Sequence, residues 1–406
     1  LARVLVDATM VAVPLALVLA HLSVASCWAL GQPTSLRAHH ARLPSATMSM
    51  GDPAGALTLL GGALAKSDAA ASSRDWQRVG DQWLRLPAST PWAVVHFVGG
   101  AGLGSAPQLC YNSLWADVCD RANVAVIATP YDVAPDHARL AAECMAGFES
   151  ARAEACELGL LPAAAPVFRA GHSLGAKLLV VEACRVAGEP GDEVYTGSAP
   201  EPAPLGLLAY NNFGVADSVR LASSVVQTMQ GGGGRAGQTA SAIADAFAFA
   251  QQMGGASGFN LEFSPSPSEL QARVATSYSA PSTRLFTFET SDGQRDDLDC
   301  SEELMASIQN CSLPSAGPAE RIVERITLPG THLAPASVEV DLSELDATLA
   351  SLLGARTFSL GDEAAVRAAG DALVTWLWPG GMAPPPTRAL QASDLGGADV
   401  EGAIDV

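Results

Sequence analysis

The chain has 406 residues, of which 49% are apolar and 16% charged, enough to bury a sizeable core in one enzyme-sized domain with appendages. Its formal charge of -19 comes without any Lys/Arg cluster long enough to track a phosphate backbone, which excludes nucleic acid as an expected partner. The eight cysteines, Cys27, Cys110, Cys119, Cys144, Cys156, Cys184, Cys300 and Cys311, form no C-x-x-C pair and no metal-type spacing. They are expected to be mostly buried thiols, with no disulfide framework, no metal and no cofactor.

In chain order, the first segment to stand apart runs from Met10 to Ala29. It is apolar, too short and too interrupted for a comfortable bilayer span, and it ends in small residues, which reads as a signal-peptide core. No Asp or Glu occurs from Ala8 through Gly51, and Ser35, Arg37, His39, His40, Arg42, Ser45 and Ser49 follow Trp28, a composition typical of transit peptides. Together these predict a two-part address to a plastid, with a secretory leader as the alternative. Residues 1–50 are therefore set apart as a leader and 51–75 as a linker, and no transmembrane segment is expected in the mature chain.

Trp92 to Val98 is an apolar, β-branched run ending in Gly99-Gly100, and it reads as a strand buried on both faces. Val124 to Thr129, Pro166 to Ala170, Gly206 to Tyr210 and Arg284 to Phe288 read the same way. Between them, Pro107 to Arg121, Asp136 to Glu157 and Leu174 to Val186 carry apolar residues at three- and four-residue spacing, the mark of helices. Strand and helix in alternation predict an α/β fold: a doubly wound, mostly parallel sheet over residues 76–380.

After Tyr210 the alternation stops, and the segment of about 211–282 is expected to be a lid inserted above the sheet. A helix near Ser301 to Ile308, a strand near Arg321 to Leu328 and a last helix around Glu363 to Leu377 then resume the pattern. Residues 381–406, with Pro384-Pro385-Pro386 and an acidic, aromatic-free end, read as a solvated flexible tail.

The run Gly171-His172-Ser173-Leu174-Gly175 stands between a strand and a helix, the setting that a nucleophile elbow requires. Glycines at both ends let the chain turn sharply, and the helix start offers unpaired N–H groups where negative charge would develop. A serine hydroxyl needs a base within hydrogen-bond reach. Four histidines lie beyond the leader, His96, His137, His172 and His332. His332 alone follows Ser173, just past a strand, and so matches the chain order nucleophile, acid, base. His96 lies within an apolar strand and reads as a core histidine. Lys177 reads as a surface or packing residue.

The acid should follow the strand Arg284 to Phe288, where it would fix the imidazole tautomer. Asp292 stands at the usual short distance from that strand, and Asp296, Asp297 and Asp299 come after Gly293-Gln294-Arg295, so the choice stays open between Asp292 and the later group. The oxyanion hole would use the N–H of Leu174 and one from the loop after the first strand, near Gly100 or Ala101. That glycine-rich loop lacks the Gly-Lys-Ser/Thr ending of a phosphate loop.

Several motifs carry a wider resemblance: His96-Phe97-Val98-Gly99-Gly100, Ala106-Pro107-Gln108-Leu109, Ala128-Thr129-Pro130-Tyr131, the elbow itself, Tyr210-Asn211-Asn212-Phe213, Phe263-Ser264-Pro265-Ser266-Pro267 and Gly330-Thr331-His332-Leu333. In the same order they resemble a cyanobacterial and plastid family of α/β-hydrolase-like proteins labelled a domain of unknown function. The resemblance spans roughly Trp92 to Pro335 and implies an α/β-hydrolase fold with the elbow serine at the top of the sheet. It also implies plastid residence, and it favours Asp296 as the acid, through Asp296-Asp297-Leu298-Asp299.

The function expected is a plastid serine hydrolase that cleaves an ester or thioester of a small-molecule acyl or lipid-like substrate. Phe247, Phe249, Met253, Phe259 and Phe263 in the insertion motivate the acyl substrate. The alternative is a catalytically silent scaffold or ligand-binding protein of the same fold.

Overall fold

A strand that is apolar at nearly every position is stable only where both faces of its sheet are covered. Ala93–Val98 (β3) and Val124–Thr129 (β4) meet that condition, since every residue in them is buried. The computed structural model describes residues 75–185, 201–215, 217–218, 262–296, 299–313, 322–341 and 357–378. The expected leader, the linker before residue 75, the tail and the insertion from 219 to 261, with Phe247, Phe249, Met253 and Phe259, lie outside the described residues, as do Asp297 and Leu298.

Around β3 and β4 stand β1 (Trp76–Val79), β2 (Gln82–Arg85), β5 (Val167–His172), β6 (Leu205–Leu208), β7 (Ser282–Glu289) and β8 (Ile322–Pro329), in the order β1-β2-β4-β3-β5-β6-β7-β8. Neighbours from β4 across to β8 run parallel, whereas β1 pairs antiparallel with β2, and β2 with β4. A separate antiparallel pair joins β9 (Val338–Asp341) to β10 (Thr357–Leu360).

The helices are α1 (Pro107–Cys110), α2 (Asn112–Ala122), α3 (His137–Glu157), α4 (Leu174–Ala183), α5 (Pro267–Ser277), α6 (Ser301–Gln309) and α7 (Glu363–Leu377). Because side chains alternate across a strand, β3 feeds two cores. Ala93, Val95 and Phe97 pack with α1, α2 and α7 on one face, while Val94 and Val98 pack with α3, α4, α5 and α6 on the other. This is the doubly wound, mostly parallel sheet of the α/β-hydrolase fold. Among the described residues no helix is long and apolar enough to cross a membrane.

Besides the unforeseen β9–β10 pair, three features depart from the expected pattern. The β1–β2 hairpin was not foreseen, because its four-residue strands mix Arg and Gln with Trp and show too few alternations to register. The helix expected from Pro107 to Arg121 breaks at Tyr111, whose φ of -125° and ψ of 15° leave helical geometry. The third is α5, which falls inside the segment expected to be lid. It starts in a capping box formed by Ser266 and Glu269 with Pro267 at the first turn, and it buries Leu270 and Val274 in the same core as α3 and α4. Residues 267–277 of the expected lid are therefore a helix of the core layer.

The order of strands also locates a crevice. The chain leaves β3 toward β4 on one side and returns to β5 on the other, so the loops after β3 and β5 part company at the C-terminal edge of the sheet. Open α/β sheets bind ligands at this kind of reversal.

Candidate active site

β5 ends at His172 and α4 begins at Leu174, leaving Ser173 alone to make the turn. It does so at φ 53° and ψ -118°, a region that non-glycine residues rarely occupy. Two close approaches hold the turn. A β-carbon on Gly175 would overlap the carbonyl oxygens of Val98 and Gly99, and one on Gly171 would lie 2.7 Å from the amide nitrogen of Ala176. The first turn of α4 thus rests directly on the loop after β3.

Ser173 Oγ lies 2.9 Å from His332 Nε2. His332 sits beyond the end of β8 and is buried. Its Nδ1 is 2.8 Å from Asp296 Oδ2, and the Asp296 side chain is 3% exposed. An ionised carboxylate only accepts hydrogen bonds. The proton of His332 therefore belongs on Nδ1, and Nε2 is left to accept from the Ser173 hydroxyl. Asn211 Nδ2 donates to Ser173 Oγ from the other direction, at 3.0 Å.

How Asp296 reaches His332 follows from the chain after β7. Thr290 N donates to Gln294 O at 2.9 Å, and Asp296 N donates to Phe288 O at 3.0 Å. Glu289 and Arg295 pair as an antiparallel bridge. The extra residues that separate Asp292 from Asp296 are a tight hairpin, which folds back and returns Asp296 to the level of Phe288. Asp292 sits at its exposed tip, where the Thr290 hydroxyl donates to it and holds its carboxyl below the usual range. Asp292 therefore does not meet His332, which corrects one of the two candidates for the acid.

Gly100 requires a second correction. Its N–H is directed inward, onto the Tyr111 hydroxyl at 2.8 Å, and so is not presented to a substrate oxygen. The loop is otherwise well braced: Gly104 N donates to Gly100 O at 2.6 Å, Tyr131 N to Gly104 O at 3.1 Å, and Tyr131 Oη to Gly99 O at 2.8 Å. Leu174, at the start of α4, and Ala101, in the braced loop, are the remaining expected donors.

The other histidines are structural in their contacts. His96 Nε2 lies 2.9 Å from Thr129 Oγ1, its ring stacks on Phe148 at 4.3 Å, and burial pushes its pKa well down. His137 stacks on Phe263 at 4.3 Å, and burial lowers its pKa to about 3. Lys177 is not a surface residue. It is buried, donates from Nζ to Phe213 O at 3.0 Å and lies 5.3 Å from the centre of the Phe263 ring. Burial lowers its pKa to about 8.

A family model described as "Protein of unknown function (DUF1350)" matches residues 75–352, more than half of the chain. The chain belongs to this family. Ser173, Asn211, Asp296 and His332 all fall in the stretch that the family model covers. No curated protein matches. Among solved structures, the chain is similar to carboxyl esterase 2 of the mycorrhizal fungus Tuber melanosporum, at 13% identity over 73% of this chain and 80% of that one, with a TM-score of 0.41. It is also similar to an inhibited esterase B of Lactobacillus rhamnosis, at 14% identity over 68% and 85%, TM-score 0.39. A Rhizomucor miehei esterase matches at 14% identity over 82% and 94%, TM-score 0.38.

Sequence reasoning missed Asn211. The motif Tyr210-Asn211-Asn212-Phe213 carried no derivable role, yet Asn211 reaches Ser173, Asn212 Nδ2 donates to Pro267 O at 2.9 Å and Phe213 O accepts from Lys177. The one available signal was its place directly after β6, at the sheet edge where the elbow also emerges. Tyr111 was hidden inside a helical pattern. Cys110, Cys119 and Cys144 are buried free thiols, each raised to about 12 by burial. Among the described residues no three His, Cys, Asp or Glu side chains gather as a metal site.

Proposed function

We propose that this member of the family is a serine hydrolase in which Ser173 is the nucleophile, His332 the base and Asp296 its orienting acid, acting on an ester or thioester. The observation that carries the proposal is the unbroken line from Asp296 Oδ2 through both nitrogens of His332 to Ser173 Oγ, with bonds of 2.8 and 2.9 Å. Three groups held in that order on separate loops match the geometry by which a serine is activated, whatever the fold.

In the reaction so read, Ser173 Oγ attacks the carbonyl carbon while His332 Nε2 takes its proton. Asp296 stabilises the imidazolium and remains ionised. The oxygen of the tetrahedral intermediate is held by the N–H groups of Leu174 and Ala101, with the positive end of α4 behind them. His332 then returns the proton to the departing alcohol or thiol, leaving an acyl group on Ser173. A water molecule, deprotonated by His332 in turn, attacks the acyl carbon, and His332 passes that proton to Ser173 Oγ as the acid leaves. An acyl or lipid-like substrate is the preferred class because of the aromatic residues in the insertion. Plastid residence belongs to the same proposal and rests on the composition of residues 8–51 and on the family resemblance. Imaging the full chain as a fluorescent fusion tests it, and accumulation in the secretory pathway overturns it.

The deciding experiment is fluorophosphonate labelling of purified protein alongside Ser173→Ala. Labelling is expected in the parent and absent in the variant, because an activated serine reacts with such probes. If folded parent protein shows no labelling at Ser173, the chain is a catalytically silent scaffold instead.

A further inference from the structure

The carbonyl of His332 is tied to the residue that precedes Ser173. His172 Nε2 lies 2.8 Å from His332 O, and His172 Nδ1 lies 2.8 Å from Tyr111 Oη. Tyr111 Oη in turn accepts the Gly100 N–H. Tyr111, His172 and His332 are all buried, and the two imidazole rings stand 5.4 Å apart at 45°.

Every proton in this chain of bonds has one place to be. A carbonyl oxygen can only accept, so His172 Nε2 must carry hydrogen. Burial, then the nearby His332, holds the His172 pKa down to about 3, so the ring is neutral and its Nδ1 is a lone pair. The Tyr111 hydroxyl must therefore donate to Nδ1, and burial raises its pKa far enough to keep it a phenol. The direction runs from Gly100 N–H to Tyr111, from Tyr111 O–H to His172, and from His172 N–H to His332 C=O. No member can reverse without leaving a buried group unsatisfied.

The arrangement answers a problem posed by the sheet. Ser173 follows β5, whereas His332 follows β8, with β6 and β7 between them and β8 at the sheet edge. A loop extending from an edge strand must bring an imidazole nitrogen to 2.9 Å from a hydroxyl three strands away. A misplacement of about 1 Å at such a contact can cost on the order of a hundredfold in rate. The His172 bond measures the position of the His332 backbone from the elbow itself.

We propose that His172 and Tyr111 are positioning residues, which clamp the His332 carbonyl to the elbow and thereby set the approach of His332 Nε2 to Ser173 Oγ. The clamp rests on the reading of Ser173 and His332 as nucleophile and base. It also gives Tyr111 the Gly100 N–H, so that the oxyanion donors are Leu174 and Ala101.

The test uses the full chain with His172→Leu, His172→Gln and Tyr111→Phe, each compared with the parent for the rate of Ser173 fluorophosphonate labelling well below its melting temperature. Labelling is expected to fall about a hundredfold in His172→Leu and about tenfold in Tyr111→Phe. His172→Gln should recover part of the loss, since a side-chain amide can also donate to the His332 carbonyl. Selective 15N-histidine spectra of the parent, with His172 assigned by its loss in His172→Gln, should show a neutral Nε2–H ring that does not titrate between about pH 7 and pH 5.

Labelling at the parental rate in folded His172→Leu overturns the clamp and leaves the Ser173 assignment standing. A charged or Nδ1–H ring at His172 overturns it as well, and that measurement decides the matter if His172→Leu does not fold. No Ser173-dependent labelling in the folded parent overturns the underlying reading instead.

Discussion

Asp296 and Asp292 share one hairpin and face opposite fates: Asp296 Oδ2 stands 2.8 Å from His332 Nδ1, while Asp292 meets only the Thr290 hydroxyl and neighbouring backbone at the exposed tip. Replacing each by Asn separates them. Asp296→Asn keeps the shape but allows the amide to donate toward Nδ1, which favours the wrong tautomer of His332. Ester turnover is expected to fall on the order of 10⁴-fold in kcat. Asp292→Asn should stay within about twofold of the parent, because an exposed loop substitution of this kind has little energetic effect. Steady-state kinetics on a short-chain ester, once a turned-over substrate is found, reads both. Equal losses in the two variants would remove Asp296 from its role.

Much of this site is legible in the sequence, and the limits have physical reasons. Ser173 stands out because a buried strand, a glycine-flanked turn and a helix are each local patterns, and His332 because it alone follows Ser173 among the four histidines beyond the leader. The choice of acid depends on whether the chain after β7 runs on or folds back. The bonds from Thr290 N to Gln294 O and from Asp296 N to Phe288 O decide that, and no periodicity reveals them. Asn211 and Tyr111 are fixed by tertiary contacts, 38 and 61 residues away in sequence from their partners Ser173 and His172, so no local window could pair them. The α5 start is different: Ser266-Pro267-Ser268-Glu269 is a local signal, and it was hidden only by reading the whole stretch as an insertion.

Asn211 donates to Ser173 Oγ, the oxygen proposed to attack. In that reading its amide holds the Ser173 rotamer and stabilises negative charge as the proton leaves. Asn211→Ala is expected to lower kcat by about ten- to a hundredfold, the lower part of the range seen for lost donors near a reacting oxygen, with KM little changed. A loss confined to KM would show that Asn211 binds substrate and does not act on Ser173.

The buried histidines are expected to make the fold less stable in acid. His137 and His172 have pKa values of about 3 in the fold, and that of His96 is also well below 6.5, in each case chiefly through burial. They are neutral when folded and take up protons when unfolded at acid pH. Stability from this source is complete above about pH 6.5 and is lost as pH falls toward 3, by up to about 1.4 kcal/mol per pH unit for each ring. Among the described residues His137 has no hydrogen-bond partner on either ring nitrogen, so it is the ring to remove. Melting temperature should fall between pH 7 and pH 5 in the parent, and fall less in His137→Leu. Identical slopes would show that burial does not lower the His137 pKa in the fold.

Ser173 occupies φ 53° and ψ -118°, where a side chain strains the backbone by about 1 to 3 kcal/mol. Glycine at the same place would relieve that strain and lose the hydroxyl with it, so Ser173→Gly is expected to melt higher than the parent while failing to label. Durability and reactivity are thus set against each other at one α-carbon. In the proposed reading the relaxed form of this turn is an inert one, and the strain at Ser173 is what the fold must hold in place to present a nucleophile.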